Sequence, residues 1–146
     1  MLFRSVRPWS AKRDFECFAE LNGVKLEHFR ADNHPFDSKE WLDDLETNGQ
    51  TMSLSGTGAH HQNGAAERAL QTITYWARAM MMHQLLNWPS EFQPNLWPFA
   101  LEHAVYVWNH LPRNRLGLSP LKLFTGMKQP DGNKTLLQAR VWGCPA

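Results

Sequence analysis

The stretch from Ala65 to Leu86 restricts the fold more than any other. Its apolar residues Ala66, Leu70, Ile73, Ala77, Met80, Met81 and Leu85 recur at helical intervals, while Glu67, Gln71, Thr74 and Arg78 trace another face. A strand alternates every second residue and does not produce this pattern. At roughly six turns the helix is long, and its apolar stripe demands cover from the rest of the chain. After a break at Asn87-Trp88-Pro89, helical spacing resumes from Asn95 to Leu111 with Leu96, Phe99, Leu101, Val105, Val107 and Trp108. That second helix is apolar on more than one side and therefore needs cover on several sides.

The upstream half alternates element types. Phe15, Phe18, Ala19 and Leu21 predict a helix over Ala11 to Leu21, stopped by Asn22-Gly23. VKLEHFR then predicts a short strand ending at Ala31-Asp32-Asn33, which puts Asp32 at its carboxyl end. Ser38 is placed to cap a helix carrying Trp41, Leu42 and Leu45, with Glu40 and Asp43 near its positive end and Asn48-Gly49 terminating it. A second strand is expected from Gln50 to Leu54. SGTGAHHQNG has three glycines and no apolar residue larger than alanine, and reads as a mobile loop. Near the other end, Ser119-Pro120 has the form of a cap and first helical residue, for a short helix closing at Gly126.

Helix, strand, helix, strand and long helices in that order predict an α/β domain. Two short strands cover too little of the helical apolar surface, so further strands are expected before the amino end. A chain of 146 residues that is 42% hydrophobic is long enough for one core, and one domain is the expectation. The net charge of +1 gives no global attraction to DNA or to an acidic membrane, so charge has to be read locally. Cys17 and Cys144 lack short-spaced cysteine partners and read as reduced structural residues. No run approaches the roughly 20 apolar residues of a membrane span, and MLFRSVRPWSAKRDF lacks a signal-peptide core. A soluble, intracellular protein with no membrane partner is expected.

Asp32 follows a predicted strand, and Glu67 opens the longest predicted helix. Were those ends to meet, their carboxylates would suit Mg2+ or Mn2+, hard cations that prefer oxygen and leave positions for water and phosphate. A pair of such ions activates an attacking oxygen and stabilises a leaving one in phosphodiester chemistry. The plainer alternative is that Glu67 merely complements the helix dipole. Asp14 lies in a helical pattern and reads as a solvated acid, and adjacent His60 and His61 read as loop polarity, since no zinc-spaced partners accompany them. Lys12, Arg68 and Arg78 are candidate phosphate contacts against a background of ordinary solvated bases, with Arg78 favoured because it shares the Glu67 face. Trp97, Trp108 and Trp142 fall in apolar patterns that point to core or subunit contacts before base stacking.

Several motifs occur together: FRADN at 29–33, HHQNGAAER at 60–68, LWPFALEHAVYVWNHLP at 96–112, LSPLKLFTG at 118–126 and VWGC at 141–144. Their order resembles the second half of the catalytic core of copia-type retrotransposon integrases and its downstream extension, from about Ala11 onward. The resemblance implies a ribonuclease H-like α/β core without its first three strands over 11–112, an unassigned start over 1–10 and a helical extension over 113–146. It implies that Asp32 and Glu67 are the second and third acids of a three-acid site binding Mg2+ or Mn2+, with DNA as the substrate of end processing and strand transfer. Gln62, Asn63 and Gly64 would then lie in a loop near DNA, and Arg78 on the nucleic-acid side. Self-association or pairing with other integrase chains is expected, as is nuclear localisation if the chain acts in integration. His34 stands where the family has glycine, and neither the first aspartate nor the amino-terminal zinc module has a counterpart here. The isolated chain is therefore expected to be inactive alone. The competing expectation is a noncatalytic element remnant that only binds nucleic acid or another integrase chain.

Overall fold

The structure, a computed structural model, describes residues 8–31, 36, 38–56, 64–113, 117–126, 136 and 139–144. It is mixed α/β, mostly helical, with one small parallel sheet. The chain divides into two compact units, Met1–Gly64 and Ala65–Ala146.

In the first unit, α1 spans Pro8–Leu21, β1 His28–Ala31, α2 Lys39–Thr47 and β2 Thr51–Leu54. Helix α1 begins three residues before the apolar periodicity does, since Pro8 suits a first turn whose amides need no helical partner. It ends as expected: Asn22 N–H reaches the carbonyls of Phe18 and Ala19, and Gly23 takes a left-handed φ of 72°. The first strand is shorter and later than VKLEHFR suggested. Its partner supplies only four residues, paired from His28 with Thr51 to Ala31 with Leu54, and upstream of His28 the Glu27 carbonyl accepts from Thr51 N at 2.9 Å while Val24 to Leu26 lie outside the paired register. Because the strands are parallel, the chain must cross over between them, and α2 forms part of that crossover.

Ser38 holds the N-cap position of α2 with extended backbone, but its side chain makes no capping bond; its carbonyl instead accepts from Trp41 N and Leu42 N. Helix α2 buries Trp41 and Leu45 and leaves Leu42 exposed. The core of this unit combines those residues with Ala19, and Trp9 and Phe36 each pack a ring 5.0 Å from that of Trp41.

Helix α3, Gly64–Asn87, belongs to the second unit from Ala65 onward; with it are two short 3-10 turns, Pro89–Glu91 and Pro94–Leu96; α4, Trp97–His110; and α5, Pro120–Thr125. Ala77 of α3 clusters with Ala100 and Ala104 of α4, and Ile73, Trp76, Met80, Met81, Leu101 and Trp142 pack around them. The buried stripe of α3 is rotated from the predicted one: Leu70 and Leu85 are exposed, and Gln84 is 4% exposed. On α4 the buried residues are the two alanines, while Phe99 and Val105 face outward. Helix α5 follows its sequence signals closely. Ser119 accepts from Lys122 N at 3.3 Å, Pro120 opens the helix, and Gly126 closes it at φ 64°.

Candidate functional site

Among the candidates, Gly64, Glu67, Arg68 and Arg78 fall on described residues of α3, and Lys12 on α1. Asp32, Gln62, Asn63, His34, His60 and His61 lie outside the described residues. The nearest described neighbour of Asp32 is Ala31, the last residue of β1.

Glu67 occupies the first turn of α3 and is exposed. The amide dipoles of a 24-residue helix favour a carboxylate there, which by itself accounts for its stability at that position. Arg78 follows eleven positions later, about three turns, so it returns to nearly the same side of the helix, and it too is exposed. It forms no ion pair among the described residues. Gly64 starts the helix without a positive φ, and a Cβ built on it would meet nothing within 4 Å. Neither backbone strain nor packing therefore demands glycine at 64. The Glu67–Arg78 side of α3 presents an acid near one end, a base further along and an unobstructed backbone at the start.

These residues alone do not make a metal centre. A hard divalent cation takes several oxygen ligands at once, and the described residues hold no grouping of three His, Cys, Asp or Glu side chains able to bind one.

Lys12 differs from its expected role as a solvated or phosphate-contacting base. It is 5% exposed, and its ammonium donates to Glu16 Oε1 at 2.6 Å and Asp44 Oδ2 at 2.7 Å. The rings of Phe29 and Trp41 lie 5.4 and 5.9 Å from Nζ. Burial pushes its pKa down, but the hydrogen bonds it donates to Asp44 and Glu16 and their charges outweigh that, leaving it above the ordinary 10.5. The one advance signal was the spacing of Lys12 and Glu16, four positions apart on one helix face.

The VWGC tail also acquires a local purpose. Trp142 packs on the alanine cluster and donates from Nε1 to Gln84 Oε1 at 3.2 Å, while Gln84 Nε2 donates to the Glu91 carbonyl at 3.2 Å. A glutamine in a core is tolerated when both ends of its amide are bonded, as here. Trp76 and Trp108 meet edge to face at 5.6 Å, and the Arg113 guanidinium lies over Trp108 at 3.2 Å from the ring centre. Trp97, by contrast, is 54% exposed. Cys17 and Cys144 are free thiols, Cys17 exposed and Cys144 half-buried. No helix among the described residues is long and apolar enough to cross a membrane.

No protein-family model matches this chain, and no curated protein matches it.

Proposed function

We propose that the chain is a segment of a copia-type integrase catalytic core, contributing two of the carboxylates used in metal-dependent DNA strand transfer. The observation that carries this is the outward side of α3: an exposed Glu67 in its first turn, an exposed Arg78 without an ion pair among the described residues, and an open backbone at Gly64. The parallel β1–α2–β2 unit adds support, because β1 ends at Ala31, one residue before Asp32. In α/β proteins, strand carboxyl ends and helix starts are where ligands and reacting groups collect.

Each residue has a stated part. Asp32 and Glu67 would hold Mg2+ or Mn2+ through anionic oxygens, and such an ion would supply Lewis-acid stabilisation of charge at a phosphodiester. Arg78 contacts a DNA phosphate, fixing register without reading sequence. Gln62 and Asn63 offer amide donors and acceptors to the nucleic acid, and Gly64 lets the backbone approach closely.

The test is strand transfer of a labelled duplex end into plasmid DNA by this segment within a complete core whose upstream strands carry an aspartate. Joining that requires Mg2+ or Mn2+ and disappears in Asp32→Asn supports the proposal. Absence of joining from the unsubstituted protein overturns it.

A further inference from the structure

The second unit contains a cleft of about 350 Å3 beside α3, at the small end of the range for small-molecule sites. Ala77 and Met81 of α3 line it together with Phe92, Pro94, Trp97 and Leu101. Two polar side chains join them, Thr74 and Arg78. The Thr74 hydroxyl already donates to the Leu70 carbonyl at 2.8 Å, so it offers a ligand only an acceptor. Arg78 offers up to five donors in a planar fork and has no ion-pair partner among the described residues. No carboxylate lines the cleft among the described residues.

We propose that this cleft is a binding site for a small apolar monocarboxylate, whose single ring or short hydrocarbon chain lies against Trp97, Met81 and Leu101 while its carboxylate pairs with Arg78. Charge complementarity selects the class. An apolar wall with one unpaired guanidinium at its side rewards a ligand that is apolar over its body and anionic at one end. A neutral hydrocarbon gains nothing from the guanidinium, which is exposed and keeps its water. A nucleotide brings base edges and ribose hydroxyls that the lining does not match, and buried polar groups without partners are unfavourable. The site asks nothing of Asp32, Glu67 or a metal, so it stands if the integrase reading fails; it shares Arg78 with the DNA contact proposed above, and a bound carboxylate and a DNA phosphate would exclude each other there.

The experiment is calorimetric titration of the full chain with 3-phenylpropionate, indole-3-acetate and octanoate, each against its matched primary alcohol. The expected result is a dissociation constant of about 1 mM or lower for at least one acid, with its alcohol roughly tenfold weaker. Arg78→Gln should weaken the acid by roughly tenfold and leave the alcohol unchanged. Leu101→Trp should fill the cleft and weaken both ligands. Arg78 is exposed, so the first variant keeps the test valid even if Leu101→Trp fails to fold. Equal binding of acid and alcohol, an acid affinity indifferent to Arg78→Gln, or no binding by any acid at several times that concentration overturns the proposal.

Discussion

Lys12 shows how one residue's environment reverses its sequence character. In AKRDFE it sits among charges and looks solvated, yet two carboxylates and two aromatic rings enclose its ammonium. Removing one partner of a buried pair leaves the others uncompensated at a typical cost of 3–5 kcal/mol. Here the carboxylates keep 20% and 30% side-chain exposure, which lowers the expected cost. Lys12→Met is therefore expected to destabilise the first unit by about 2–3 kcal/mol in urea unfolding near neutral pH. Because the folded pKa is raised, the native state keeps its proton to higher pH than the unfolded chain does. The contribution is thus complete below 10.5 and lost as pH rises through the folded value. The gap between wild type and Lys12→Met should stay constant from neutral pH up to 10.5 and narrow above it. Gly143 is constrained for a different reason. Its φ of 74° is left-handed, and an added Cβ would come within 2.6 Å of Gln84 Cγ. Gly143→Ala should lower the stability of the second unit by about 1–3 kcal/mol, measured by denaturant unfolding.

At the scale of elements, what could be read from the sequence was limited by what each signal encodes. The helical periods of α3 and α4 come from local spacing and were legible, as were the Asn-Gly and Gly stops at 22–23, 48–49 and 126. The extent of β1 was not, because a parallel ladder is only as long as its partner, and that partner lies beyond the crossover. Which side of α4 is buried was not legible either. A helix apolar all round gives no moment to choose by, and the side taken is the one whose small residues, Ala100 and Ala104, fit against Ala77. Gln84 defeated the α3 stripe because its partners, Trp142 and the Glu91 carbonyl, are distant in sequence or in the backbone. If the alanines set this packing, Ala104→Leu should cost about 1–3 kcal/mol by overpacking, with faster amide exchange around Ala77 and Ala100 as the readout. For the candidate site, the onset of the helical period put Glu67 in a first helical turn, as observed, and the same period puts Arg78 on its side. The geometry of Asp32 depends on residues outside those described.

At the scale of the whole molecule, a net charge of +1 means that the proposed affinity for DNA would have to come from local groups such as Arg78. The proposed activity rests on chemistry at two carboxylates, and of these Glu67 is the one whose surroundings are described. An exposed residue in a first helical turn exchanges for its amide with little effect on the helix, so loss of a ligand can be separated from loss of fold. The most direct measurement is the rate of Mg2+- or Mn2+-dependent strand transfer for Glu67→Gln, in a complete core containing this segment, with DNA affinity measured in parallel. The account predicts a loss of at least about 100-fold in rate with DNA affinity within about twofold of the parent. A rate within about twofold of the parent would mean that Glu67 is only a helix-dipole partner, and would contradict the account.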